Sequence, residues 1–422
     1  MQIRVAWALA AALGAAAPRL PAQSTRDTLA PRVVPAPHAT WVRRRPAAPG
    51  GQPSAEPPRR VEIHGLILVN GFYDGATFDD PDVPRWLAAT QDTSGLPNSR
   101  IGGLLRQTLV GITARPGRVL GADLEAQAQL DFFGAAPGTS PSRLLTPRVR
   151  TAHVRLAWSH VRLLVGQEKP LVSPQSPVSF AAVGRAEFAG SGNLRAWIPQ
   201  ARLTLEVGSA LRMGVQAAAL DPLQDSAADL ASPAQSGLGE KSGRPSAEGR
   251  LYVAWGPGDH ASSIGFGAHR GWLATATAAT LSSEALTADF HIVLGPVALT
   301  GEGFTGQALA GLGDGGIGQD IGPQGQLVRT TGGWAQLDIR PARSWEFGGG
   351  YGVDDPDDAD LATAAGAFPP GARLRNETWE GHLHLFPGAG LLLGAEVRGL
   401  RTTYPAEVMS ATQVNGFVGM FF

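Results

Sequence analysis

The chain has no cysteine, so disulfides and thiolate sites are excluded, and export into an oxidising space would carry no cost. Neither sign of charge dominates: 35 Lys plus Arg face 36 Asp plus Glu, a net charge of -1, so there is no global nucleic-acid footprint. Any charge-based function must lie in local patterning. Beyond the N-terminal segment, no apolar run reaches the roughly 20 residues of a spanning helix. Catalytic signatures are missing as well, since no Gly-x-Ser-x-Gly, Walker loop or His-Glu-x-x-His pattern occurs. Helix breakers, by contrast, abound: 55 Gly and 33 Pro among 422 residues argue against helical domains.

What is present begins with an export signal. Met1 to Arg4 is basic, Val5 to Ala17 is apolar, and small residues at Ala15, Ala17 and Ala22 offer cleavage sites, so residues 1–22 are expected to be a Sec signal peptide. Residues 23–60 are rich in proline and include Arg43-Arg44-Arg45, the composition of an extended periplasmic linker.

From Val61 to Phe422 the pattern changes to alternation. In GADLEAQAQLDFF (121–133), Asp123, Glu125, Gln127, Gln129 and Asp131 take one parity, and Ala122, Leu124, Ala126, Ala128, Leu130 and Phe132 the other. An extended chain with that sequence is polar on one side and apolar on the other. The design repeats at 200–207, 286–292 and 335–340, whereas in VEIHGLILVNGF (61–72) Leu66 and Leu68 share the parity of Glu62 and His64. Sixteen such segments alternate between short connections (ARPGR at 114–118, SH at 159–160, PGDH at 257–260, GP at 295–296, PAR at 341–343) and long polar loops. Short turns at one end and long loops at the other predict an all-β fold, a transmembrane antiparallel up-and-down β-barrel of about 16 strands over residues 61–422. The apolar parity then faces lipid and the polar parity a wet lumen, and closure satisfies every backbone polar group.

Aromatic residues support this orientation. Trp158, Trp255 and Trp345 fall beside short turns, and Phe132, Trp272 and Trp379 at the long-loop ends, as two interfacial girdles require, while the parity of Trp334 places it inside. At the chain end, VNGFVGMFF sets Phe422 in phase with Met420, Val418, Gly416 and Val414. It looks like the terminal strand that outer-membrane barrels present to the barrel-assembly machinery.

Taken with NSRIGGLLRQTLVGITA, LEAQAQLDFFG, PRVRTAHVRLAWSHVRLLVGQEKP and WIPQARLTLEV, this end makes residues 61–422 resemble bacterial outer-membrane porins of the DcaP-like kind, most strongly over 98–207. The resemblance implies a homotrimer of 16-stranded barrels in the outer membrane that admits small anionic solutes without a cofactor. Some such porins carry an N-terminal coiled coil; residues 24–60 here have no heptads.

The residues themselves indicate where selectivity would lie. Between 143 and 202 stand eight arginines (143, 148, 150, 155, 162, 185, 195, 202) and Lys169 against Glu168 and Glu187, an excess of seven positive charges. Arg155, Arg162 and Arg202 take the lumen parity, as does His153, and Arg185 and Arg195 belong to the connection 167–196, which is expected to fold inward and narrow the pore. Asp123, Glu125 and Asp131 would supply an opposing face and hence a transverse field. Planar guanidinium groups suit carboxylate and phosphate oxygens. Glu380, His382 and His384 share one strand face and could be read as a metal or acid-base group, yet a polar lumen wall accounts for them better, and neither a metal nor a catalytic site is nominated. The alternatives to a diffusion porin are a barrel whose surface loops mediate adhesion or recognition and an outer-membrane hydrolase.

Overall fold

The computed structural model describes residues 61–91, 95–134, 145–222, 237–257, 261–275 and 280–422. The expected signal peptide and linker, and Arg143, lie outside these residues. Seventeen strands follow one another: β1 Val61–Asp74, β2 Arg100–Leu104, β3 Leu109–Val119, β4 Ala122–Asp131, β5 Arg148–Ala157, β6 Val161–Glu168, β7 Ile198–Gly208, β8 Leu211–Leu220 and β9 Ser246–Trp255. The series continues with β10 Ser262–Ala274, β11 Thr280–Leu294, β12 Val297–Gln307, β13 Arg329–Ala342, β14 Trp345–Pro356, β15 Arg375–Gly388, β16 Leu391–Thr403 and β17 Val408–Phe421. From β3 to β17 each pairs antiparallel with the next, and β1 pairs with β17, from Leu66 opposite Phe421 to Asp74 opposite Gln413. Both β2 and β3 lie along β1, at Asn70–Asp74 and Val61–Leu66, so they are two halves of one interrupted strand. The seventeen segments therefore close a 16-stranded antiparallel barrel with no free edge.

Among the described residues the connections alternate in length as the sequence predicts, with two corrections; residues 258–260 of the PGDH turn lie outside them. In PAR, β13 runs on through Pro341 and Ala342 past an irregularity after Ile339, and the chain reverses at Arg343 and Ser344. ARPGR is not a turn. β3 runs through it with a bulge between Ala114 and Gly117, and the chain reverses at Leu120 and Gly121, whose φ values of 52° and 78° suit a two-residue hairpin. The bulge leaves Arg115 beside the lumen instead of in a turn.

Alternation sorts the side chains. Outward positions such as Ile67, Val69, Leu205, Phe266, Leu286 and Met420 are exposed, and inward ones such as Asn70, Gln129, Arg250, Asp289 and Thr300 are buried. An exposed apolar exterior around a polar interior is the surface of a barrel that stands in lipid. Val414, Val418, Met420 and Phe422 of the last strand belong to that exterior, and Phe422 exchanges two backbone hydrogen bonds with Gly65 (3.1 and 3.2 Å) to complete the seam.

Candidate functional site: the lumen and its inward loop

The third long loop, residues 169–197 (L3), folds into the barrel. Its Leu171, Val172, Phe180, Val183, Phe188 and Leu194 are all buried, which a loop lying outward in water could not achieve. Three prolines, at 170, 174 and 177, keep its first half extended, so backbone groups point sideways to the inner wall. Leu171 N–H donates to Glu248 (2.5 Å), Gln175 N–H to Glu302 (2.6 Å), Val178 N–H to Gln336 (2.5 Å) and Phe180 N–H to Glu396 (2.6 Å). Gln107, in the gap between β2 and β3, then donates to the Ala181 carbonyl (2.7 Å) and accepts from Val183 N–H (2.6 Å). L3 thus tracks the wall from β9 around to β1 and β3.

This explains the two leucines of β1 with the wrong parity. Leu66 and Leu68 point into the lumen but meet no water, because Phe180 and Val183 of L3 pack on them with Leu109, Leu392 and Phe417. Trp334 is likewise inward and useful: it stacks on Phe188 (5.7 Å between centroids, 19°) and donates to Glu302 (3.2 Å). A column of inward glycines in β14 makes the room. A Cβ at Gly350 would meet Phe188 at 2.7 Å, and one at Gly352 the Ser191 carbonyl oxygen at 2.3 Å.

L3 covers β10 to β17, where the inward Asp289, Glu302, Glu396 and Arg398 bond to the loop, and partly exposed inward charges gather on β3 to β8. Arg155 (side chain 41 % exposed) donates to Glu125 (2.8 Å), which also accepts from Arg115 (2.8 Å). Arg162 (39 % exposed) reaches Glu206 (3.1 Å) and the Tyr252 hydroxyl (3.2 Å). Arg202 bonds Gln200 (2.9 and 3.0 Å) and the Lys169 carbonyl, and thus no carboxylate.

Where L3 leaves and rejoins the wall, cations outnumber anions. Trp197 is flanked by the guanidinium carbons of Arg150, Arg148 and Arg195 at 4.6, 5.3 and 5.5 Å from its ring centre. With Lys169 and Arg202 these make five cations, near the four carboxylates of Asp131, Glu168, Glu248 and Glu302. Burial lowers Lys169 to about 7, and Arg195 adds repulsion; burial also takes Arg195 to about 10. His153 is buried and faces Glu168 at 3.4 Å.

Other expected site residues sit elsewhere. Asp123, 78 % exposed, pairs with Arg118 (3.2 Å) at the short-turn rim, away from the loop. Asp131 is fully buried between Arg148 (2.6 Å) and Arg150 (3.7 Å). Glu125 is the register partner of Arg155 on the adjacent strand. The three acids therefore do not form a face across from the arginines; β4 and β5 are neighbours in the sheet, so their inward residues share one wall. Arg185 ties L3 to the first long loop, residues 75–99, through Asp80 (3.4 Å) and the Val83 carbonyl (3.1 Å). Arg195 meets Ser176 within L3. Sequence reasoning passed over Arg115, hidden in the supposed turn, and Arg212 of β8, which faces Glu206 at 4.0 Å.

A closed antiparallel barrel of 16 strands, polar within and apolar without, with its third long loop laid along the inner wall, is the fold of the outer-membrane porins. Among solved structures the chain is similar to the outer-membrane channel DcaP of Acinetobacter baumannii, at 13% identity over 86% of this chain and 97% of that one, with a TM-score of 0.63. It is also similar to the anion-selective porin from Comamonas acidovorans (14% identity, 86% and 99% covered, TM-score 0.56) and to Pseudomonas putida OprB (12%, 86% and 94%, 0.50). No family model matches the sequence, and no curated protein matches it.

Proposed function

We propose that the protein is an outer-membrane porin: a water-filled channel for passive diffusion of small solutes that prefers anions. The observation that carries this reading is the excess of cations where L3 joins the wall, with Arg155, Arg162 and Arg202 partly open to the lumen beside it. Guanidinium groups stay charged at physiological pH and present paired donors, and charge of one sign at a narrowing selects ions of the other. Arg115, Arg155 and Arg162 pair with Glu125 and Glu206, which tempers the field of the open wall. Arg202 and Lys169 lack such a partner bond and set its sign. Fold likeness to channels, one of them the anion-selective porin from Comamonas acidovorans, supports the same reading.

Residues 1–22 act in this reading as the export signal and 23–60 as a periplasmic linker; Phe422 addresses the assembly machinery, and three copies associate in the outer membrane. Transport is favoured over hydrolysis because the inward acids Glu248, Glu302 and Glu396 are spent on holding L3 and the fold is like that of channels. The test is the reversal potential in a planar bilayer under a KCl gradient, which reads the sign of the preference directly.

A further inference from the structure

Two of the acids that hold L3 differ in what balances them. Glu396 of β16 lies 3.0 Å from a histidine, His384, whereas Glu302 of β12 has neutral partners only: Ser173 Oγ (2.6 Å) and Trp334 Nε1 (3.2 Å) on Oε2, and Gln175 N–H (2.6 Å) on Oε1. Among the described residues no Lys, Arg or His bonds to Glu302, and its side chain is buried. The charges around it add no partner. Asp289 of β11, a like charge, is taken two-pronged by Arg250 of β9 (2.7 and 2.8 Å) and by Gln175 Nε2 (2.7 Å). Lys169 and Arg195 of L3 are within electrostatic reach, but Lys169 Nζ donates to the Pro174 carbonyl (3.0 Å) and Ser176 Oγ (2.9 Å), and Arg195 to the same hydroxyl.

An ionised carboxylate held dry without a cation is costly, and the cost is shed in one of two ways: the group takes up a proton where it stands, or L3 leaves and lets water in. The hydrogen bonds around Glu302 suit the proton. Ser173 Oγ also lies 3.4 Å from Asn193 Oδ1, so with a proton on Oε2 the carboxyl donates to Ser173 Oγ and the serine hydroxyl turns to Asn193. Gln175 N–H keeps its acceptor, Oε1.

We propose that Glu302 is a proton-operated clamp on L3, holding the loop against β12 while protonated and loosening it when ionised. The channel is then narrow and quiet at low pH, and wider and noisier at high pH. The direction follows from linkage: a loop that docks on the neutral carboxyl is stabilised by the proton, so docking strengthens as the pH falls. Loss of the Lys169 ammonium over the same rise in pH takes away one of the two cations near the carboxylate and adds to the release. The clamp rests on the inward course of L3 and not on which ions the pore prefers.

The experiment records single channels of the full chain, refolded in detergent, in planar bilayers at about 1 M KCl, where the fields of exposed charges are screened. The pH is stepped from about 5 to about 9, a range in which an ordinary exposed carboxylate stays ionised. The expected result is a reversible rise in conductance and open-channel noise with pH in the parent and in Glu284→Gln, a half-exposed residue of the outer face, and loss of that rise in Glu302→Gln, which stays at the low-pH level throughout. Lys169→Met should keep the rise, which separates the clamp from the ammonium. A parent that is flat across the range, a Glu302→Gln channel that titrates like the parent or stands at the high-pH level, or a rise abolished by Lys169→Met overturns the proposal. Should Glu302→Gln not fold, as heat-modifiable gel mobility shows, the parent and Lys169→Met decide alone.

Discussion

Glu187 of L3 and Arg398 of β16 form a buried two-pronged ion pair, Nε to Oε1 at 2.7 Å with Nη2 on Oε2, that joins a loop tip to a wall 211 residues further along the chain. Arg398 is held in place by Gln413 (2.9 Å) on the next strand. Removing one member leaves the other charge buried and alone, at a cost of about 3–5 kcal/mol. Arg398→Met should therefore free the second half of L3, seen as larger and noisier single-channel conductance, and Glu187→Gln added to it should restore quieter currents. Equal conductance in parent and Arg398→Met would show that the pair does not hold the loop.

Phe180→Ala tests the apolar half of the same attachment. The ring sits among Leu66, Leu68, Leu109, Leu392 and Phe417, and emptying such a site costs about 3–5 kcal/mol. Conductance should rise while the barrel remains heat-modifiable, with a lower melting midpoint. An unchanged midpoint would mean the pocket contributes no stability.

The glycine column offers a test by addition. Valine at Gly352 would set its Cβ 2.3 Å from the Ser191 carbonyl oxygen and 3.0 Å from Phe188 Cβ, so Gly352→Val should push L3 off β14 and widen the pore in a barrel that still forms. A conductance identical to the parent's would contradict the packing described here.

On the proposed reading, Lys169 should give the channel a pH dependence. Burial lowers its ammonium from 10.5 to about 7, so the charge at the root of L3 is present below that value and lost above it. Anion preference should fall as pH rises from about 6 to about 8, and Lys169→Met should remove that change. The stability sign follows from the same shift: the unfolded chain holds this proton up to 10.5 while the folded one releases it near 7, so the group's contribution to stability rises with pH across that window. A selectivity in the parent that is flat across pH 7 would contradict the assignment.

The barrel was legible because a strand's period of two writes its faces into the sequence; 200–207 and 335–340 needed no structure to be assigned. The inward turn of L3 was legible from apolar residues that water would not tolerate. What alternation does not carry is which inward residues meet the loop. Leu66, Leu68 and Trp334 broke the polar-inside rule because L3 makes part of the lumen a dry interior. Glu125 could be assigned to the lumen but not opposite Arg155, because position around a barrel follows from strand order and closure, and adjacent strands share a wall. Arg115 was lost to the resemblance of a Pro-Gly bulge to a turn.

On the proposed reading, arginines of the wall left open by L3 make the pore prefer anions. Reversal potentials of the parent and of the Arg155→Ala, Arg162→Ala, Arg202→Ala triple variant in a planar bilayer, across a KCl gradient at pH 6, test it most directly. The parent should show a potential of the sign that chloride selectivity gives, and the triple variant one shifted clearly toward zero; a cation-selective parent, or a variant with its anion preference intact, would contradict the account.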